Sequence, residues 1–202
     1  MKELSQQFDN SQPPRTAQDW AALAHLCAQT SRWPECEKAC LEVLERQSDN
    51  LEITELMSTA CLQNEHLEAA EHLLQTLLRR VPLDPWYRMR YATLLQTQGK
   101  LGAAQRELLR LQQMKLPEAF AKEINDAIEY QDHMQFQQVV VLLEHNRELR
   151  NALARNPQEE LQNLGFQLTE PAIEMLQNVL WEHFDQAPFN APEIPEQLPR
   201  IH

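Results

Sequence analysis

Glycine is scarce in this chain, with only 3 Gly among 202 residues. Phosphate-binding loops and dinucleotide-binding turns need several closely spaced Gly, because the backbone must approach the ligand without an intervening Cβ. Neither motif occurs, and the G-x-S-x-G motif of many hydrolases is also missing. We therefore expect a protein that is not an enzyme and that holds no cofactor.

Basic residues are also few, with 18 Lys and Arg against 30 Asp and Glu, a formal net charge of −12. Sequence-independent binding to DNA or RNA needs clustered Lys and Arg, so no nucleic-acid partner is expected. The imbalance is largest in residues 156–202, where eight carboxylates and one Arg give a balance of −7. Two interpretations stay open: a solvated acidic segment, or one that meets a basic surface.

Long apolar runs are missing as well. No stretch reaches the roughly 18 apolar residues that a membrane-spanning helix needs, so no membrane partner is expected. Residues 1–16 form a polar arm that contains Pro13-Pro14 and has no apolar core of a signal peptide. These observations predict a cytoplasmic location.

The four Cys residues show none of the close pairs, such as C-x2-C, that zinc sites use. No two His are four residues apart, so the H-E-x-x-H metal motif is missing too. We predict no metal site and expect Cys27, Cys36, Cys40 and Cys61 to be small core residues. Two alternatives stay open: zinc held by the four thiols, since Cys36 and Cys40 could share a helix face, and a regulated disulfide.

What the chain does contain is an internal period of 34 residues. Residues of similar size recur at this offset in two sets, one for each half of the repeat. The first set is Ala24, Ser58 and Ala92 with Cys27, Cys61 and Leu95, and the second is Cys36, Ala70 and Ala104 with Val43, Leu77 and Leu111. A fixed period of this size predicts stacked helical hairpins, each too small to bury its own apolar face.

The pattern resembles the tetratricopeptide repeat (TPR) family over residues 17–118, as three repeats: 17–50, 51–84 and 85–118. Three features carry the resemblance: small residues in both helices of each hairpin, Pro82 near the end of the second repeat, and Gly99 in the turn of the third. It implies an all-α, right-handed solenoid of helical hairpins.

The remaining segments are predicted from helical spacing and breakers. Residues 119–155 read as capping helices, with a helix starting near Pro117 and a second one opened by Asp132 as N-cap. Residues 156–186 form an acidic helical segment in which Thr169 caps a helix. Residues 187–202 contain four Pro and predict an extended, Pro-rich tail.

Members of the TPR family usually bind their ligand in a concave groove lined by the first helix of each repeat. Carried over residue by residue, the resemblance places the groove at Gln18, His25, Gln29, Glu52, Glu55, Thr59, Gln63, Trp86, Met89, Arg90, Thr93 and Gln96. Chaperone-binding members hold an acidic C-terminus in a clamp of Lys, Asn and Arg. Ala21, His25 and Glu55 stand where clamp residues would be, so that ligand is not expected. For Trp86, packing on the preceding hairpin is favoured over a role as an exposed anchor.

These features predict a non-catalytic scaffold or adaptor that binds a short peptide or one helix of a partner protein in the groove. Two alternatives stay open. In one, the chain is a structural subunit or assembly factor that docks through its C-terminal segment, with the apolar face of Ile173, Leu176, Leu180 and Phe184 as the interface. In the other, copies of the chain associate with each other.

Overall fold

The computed structural model describes residues 16–184, and this part of the chain contains α-helices and no strand. The first six helices are α1 (Ala17–Gln29), α2 (Trp33–Arg46), α3 (Leu51–Gln63), α4 (Leu67–Arg80), α5 (Pro85–Thr97) and α6 (Leu101–Gln112). The others are α7 (Glu118–His145), α8 (Arg147–Arg155), α9 (Pro157–Asn163) and α10 (Glu170–Phe184). The helices pack in consecutive pairs, so the all-α, helical-hairpin prediction is confirmed.

The 34-residue period of the sequence is also a period of the structure. Helices α1, α3 and α5 begin at residues 17, 51 and 85, and α2, α4 and α6 begin at 33, 67 and 101. The recurring small and medium residues are buried in all three repeats. They are Ala24, Ser58, Ala92, Cys27, Cys61, Leu95, Cys36, Ala70, Ala104, Val43, Leu77 and Leu111. The residue positions that recur every 34 residues are therefore core positions in each repeat.

The turn inside each hairpin repeats the same backbone conformation. Ser31, Glu65 and Gly99 have φ of 56°, 60° and 73°, all in the left-handed region. In each turn the following N–H donates back to a carbonyl of the first helix, as Arg32 does to Cys27 and His66 to Cys61, both at 2.8 Å. Gly favours this conformation because it has no Cβ, so the Ser and Glu turns carry a strain that the Gly turn lacks.

The described residues divide into two compact units, with the boundary between Tyr91 and Ala92. In the first unit, α1 packs on α2, α2 on α3 and α3 on α4. Its core contains Ala24, Cys27, Cys36, Ala39, Cys40, Val43, Ile53 and Ala60, with Trp20 and Trp33 packed against them.

The second unit has its core between α7 and the helices that follow. Its buried side chains are Val139, Leu143, Leu149, Leu153, Leu161, Leu168, Ile173, Leu176 and Leu180. The predicted capping helices and the predicted acidic segment therefore share one core. The apolar face of α10, one of the proposed interfaces, is buried inside the chain.

The prediction that Asp132 starts a helix is wrong, because α7 runs unbroken through it. Its carboxylate accepts hydrogen bonds from residues far away in the sequence. Oδ1 accepts from Nε2 of Gln105 and from the backbone N–H of Thr169, both at 3.0 Å, and Oδ2 accepts from the Thr169 hydroxyl. Asp132 therefore accepts hydrogen bonds from Gln105 and Thr169, which are distant in the sequence. These bonds replace the bonds to nearby N–H groups that an N-cap residue would accept.

A linker of residues 164–169 connects α9 to α10 and lies close to α6 and α7. Gln135 of α7 pairs with the backbone of Gln167 twice: its Nε2 donates to the carbonyl at 3.0 Å and its Oε1 accepts from the N–H at 2.8 Å. Gly102 of α6 faces the Gly165 carbonyl so closely that an added Cβ would lie 2.1 Å from the oxygen. Only Gly fits at residue 102.

The left-handed turns predict a stability gain at Glu65. Replacing Glu65 with Gly removes the Cβ strain, and we expect the free energy of unfolding to rise by about 0.5 to 1 kcal/mol. Glu65→Ala keeps the Cβ and serves as the control, with no comparable gain. In the reverse direction, Gly99→Ala should lose about 1 kcal/mol. Urea unfolding followed by circular dichroism measures all three, and a Glu65→Gly variant no more stable than Glu65→Ala would contradict the account.

Candidate functional site

The predicted groove residues of the first unit lie on α1, α3 and the first turns of α5. None of them is fully buried: Gln18, Gln29, Glu52, Gln63 and Trp86 are exposed, and His25, Glu55, Thr59, Met89 and Arg90 are partly exposed. Thr93, which is exposed, and Gln96, which is partly exposed, belong to the second unit. Side chains from these helices are therefore available to a partner.

Arg90 is the centre of a polar cluster that joins α5 to α3. Its guanidinium donates to the hydroxyl of Thr59 at 2.5 Å and to that of Ser58 at 3.3 Å, and it lies 3.5 Å from Oε1 of Glu55. The phenol of Tyr87 donates to Oε2 of Glu55 at 3.0 Å. We call these five residues the Arg90 cluster.

The Arg90 cluster has a nearly balanced charge and is partly shielded from solvent. The Arg90 side chain is 25% exposed and the Glu55 side chain 46%. Burial raises the pKa of the Tyr87 phenol, and its hydrogen bond to Glu55 adds to that shift, so Tyr87 stays a neutral donor. The cluster thus presents hydroxyl, carboxylate and guanidinium groups that are already hydrogen-bonded to one another.

Other predicted groove residues form smaller contacts. His25 of α1 lies 3.1 Å from a carboxylate oxygen of Glu52 on α3. Gln96 in the second unit donates from Nε2 to Oε1 of Gln131 at 2.9 Å. The structure therefore brings Glu55, Thr59 and Arg90 together and joins His25 to Glu52, while Gln18, Gln29 and Gln63 line the exposed surface.

Sequence reasoning missed two members of the Arg90 cluster, Tyr87 and Ser58. Ser58 was assigned only a packing role as a small residue, although its hydroxyl meets Arg90. Trp86 was expected to pack on the preceding hairpin, and its neighbour Tyr87 was assigned no role. Trp86 is 65% exposed, so the packing preference for it is wrong, whereas Tyr87 is partly buried. Asp84 caps the start of α5, where its Oδ1 accepts from the backbone N–H groups of Trp86 and Tyr87 at 2.9 and 3.1 Å.

All four Cys are free and buried in the core of the first unit, which confirms their predicted packing role. Burial raises the pKa of every one of these thiols above its ordinary value of 9.0, that of Cys61 to about 12. A thiol of raised pKa is a poor nucleophile and a poor ligand. Across residues 16–184, no group of three or more His, Cys, Asp or Glu is arranged to hold a metal ion.

No protein-family model matches this chain, and no curated protein matches it. The likeness to the TPR family therefore depends on the spacing of residues in the sequence. Among the described helices, none combines the length and apolar character needed to cross a membrane.

The raised thiol pKa values predict a loss of stability in alkaline solution. The unfolded chain loses the Cys61 proton near pH 9, whereas the folded chain keeps it until about pH 12. The stabilising contribution is therefore complete below pH 9 and is lost as the pH rises toward 12.

We expect Cys61→Ala to reduce the fall in unfolding free energy between pH 8.5 and 10.5, by at most about 1.4 kcal/mol per pH unit. Ser58→Ala, a buried change on the same helix without a titrating group, is the control. Urea unfolding at several pH values measures the slope. Equal slopes for wild type and Cys61→Ala would rule out the assigned pKa.

Proposed function

We propose that this protein is a non-catalytic, TPR-like adaptor of the cytoplasm that binds a short peptide or one helix of a partner protein. The Arg90 cluster carries the proposal. It shows that helices α3 and α5, which begin 34 residues apart, present side chains to one common, partly exposed surface. A ligand along this surface would meet residues from more than one hairpin, as a groove-bound peptide does.

The hydrogen-bonding capacity of this surface supports a peptide ligand. Exposed amides of Gln29 and Gln63 each offer a donor and an acceptor, which is what a peptide backbone needs. The hydroxyl of Thr59 and the carboxylate of Glu55 are held by Arg90 before any ligand arrives. Because these side chains are already ordered, binding costs less conformational entropy than it would on a loose surface.

Charge narrows the class of peptide. Arg90 is neutralised by Glu55, and Glu52 adds a further exposed carboxylate beside His25. A strongly acidic peptide would find no unpaired cation in this cluster. We therefore expect a ligand of low net charge, read by backbone hydrogen bonds, with an apolar side chain directed to the exposed ring of Trp86.

The rival proposal is a structural subunit that docks through the C-terminal segment. The apolar face that it would use is less exposed than the sequence indicated. Ile173, Leu176 and Leu180 are at most 9% exposed, because they pack against α7, α8 and α9. Docking through that apolar face would require the second unit to open. Self-association remains a distinct candidate, which the mass in solution as a function of concentration would test.

A charge swap tests the groove without removing its internal ion pair. Glu55→Lys combined with Arg90→Glu keeps an opposite pair across α3 and α5 but reverses its direction, so ligand hydrogen bonds are lost while the hairpins stay joined. We expect at least a tenfold loss of partner affinity, about 1.4 kcal/mol. Partners would be captured from the source cell with full-length protein and quantified by mass spectrometry, then confirmed with the purified partner.

The matched control is Glu118→Lys with Lys122→Glu, an equivalent swap on exposed residues of α7. It keeps the net charge and should leave the affinity within about twofold. Thermal unfolding of both variants checks the fold. Full affinity in the groove variant would refute the groove as the binding site, and equal losses in both variants would show a nonspecific charge effect.

A further inference from the structure

Helix α10 has a second face that the fold does not use. Ile173, Leu176 and Leu180 enter the core, and the residues on the opposite side of the helix are exposed. We call this side the α10 outer face; it consists of Glu170, Pro171, Glu174, Met175, Asn178, Trp181 and Glu182. At 100° per residue these side chains span an arc of about 140°, a single continuous surface along the whole helix.

Two large apolar side chains lie on the α10 outer face. Met175 is 57% exposed and Trp181 is 41% exposed. A single exposed apolar residue is ordinary on a protein surface, but Trp and Met are enriched where proteins meet. Neither is needed for the core of the second unit, which Leu176 and Leu180 already fill.

The polar residues of the same face are acidic. Within residues 16–184, the carboxylates of Glu170, Glu174 and Glu182 have no hydrogen-bond or ion-pair partner. No Lys or Arg occurs between Arg155 and Arg200. Arg155 borders the face, because it lines a shallow cleft of about 420 Å³ together with Glu170 and Glu174. One cation beside three carboxylates leaves the face negative.

We propose that the α10 outer face binds a basic amphipathic helix of a partner protein. Glu170, Glu174, Asn178 and Glu182 are four residues apart, so they form one ridge of the kind that packs into the groove of a second helix. Lys or Arg side chains of the partner would pair with the three carboxylates. The indole of Trp181 would cover the apolar stripe of the partner or the face of an Arg side chain.

Charge decides between the possible occupants. A second copy of the chain would bring a second acidic face, and like charges facing each other disfavour such a contact. The anionic headgroups of a membrane would be repelled for the same reason. A basic helix is the occupant for which both the carboxylates and the two apolar side chains are favourable. This inference does not rest on the Arg90 cluster, whose five residues belong to the first unit.

The probe is a fluorescein-labelled amphipathic peptide of Lys and Leu, about 15 residues long to match α10. A peptide with Glu in place of Lys is the control ligand. Fluorescence anisotropy with the full chain measures the affinity. Glu170→Lys, Glu174→Lys and Glu182→Lys together should weaken binding by about tenfold or more. The control protein carries Glu118→Lys, Glu123→Lys and Glu129→Lys at exposed positions of α7. Its net charge equals that of the α10 triple variant.

In the control protein we expect the peptide affinity to change by less than about twofold. For Trp181→Ser we expect a loss of affinity of at least about threefold, which persists at high salt. Circular dichroism confirms that each variant is folded. Equal weakening in both triple variants would overturn the proposal, because binding would then follow net charge alone. Binding of the Glu-Leu peptide, or no effect of Trp181→Ser, would also overturn it.

Discussion

The carboxylate of Asp132 is the interaction on which the second unit depends. It sits in the middle of α7 and accepts hydrogen bonds from Gln105 of α6 and from both the backbone and the hydroxyl of Thr169. An acidic group that is partly removed from water must have such donors, because its desolvation would otherwise be costly. Satisfying Asp132 therefore fixes where the residue before α10 lies.

The orientation of α10 follows from that anchor. Gln135 pairs with the backbone of Gln167 in the same linker, and Gly102 allows the Gly165 carbonyl to approach α6. With the linker held at these points, α10 directs Leu176 and Leu180 into the core, and Trp181 and the carboxylates to solvent. With these contacts in place, the side of α10 opposite Leu176 and Leu180 is the side that solvent reaches.

The three repeats depend on a different feature, which is repetition. The same small residues are buried and the same left-handed turn recurs in each repeat, so helices α1, α3 and α5 begin at a fixed interval. This regularity was predictable from the sequence, because size and spacing alone specify a hairpin stack. The turn at Glu65 shows that the stack enforces its backbone conformation even where Gly is missing.

Long-range polar contacts were not predictable in the same way. Asp132 has the local pattern of a helix start, but its carboxylate accepts from Gln105 and from Thr169, which is 37 residues away. Likewise the hydroxyl of Ser58 meets Arg90 from 32 residues away, although its size indicated packing alone. Residues on one helix face recur at short intervals, so their spacing in the sequence predicts them. Hydrogen-bond partners depend on the tertiary fold, which residue spacing does not specify.

Hydrogen exchange measured by mass spectrometry on wild type and Asp132→Ala tests the central claim, that one carboxylate anchors the C-terminal segment. The account predicts that amides of residues 164–184 exchange at least about tenfold faster in the variant, a loss of some 1.4 kcal/mol of local protection. Amides of α3 and α4, in the other unit, should be unchanged. Unchanged exchange in residues 164–184, or faster exchange throughout the chain, would contradict it.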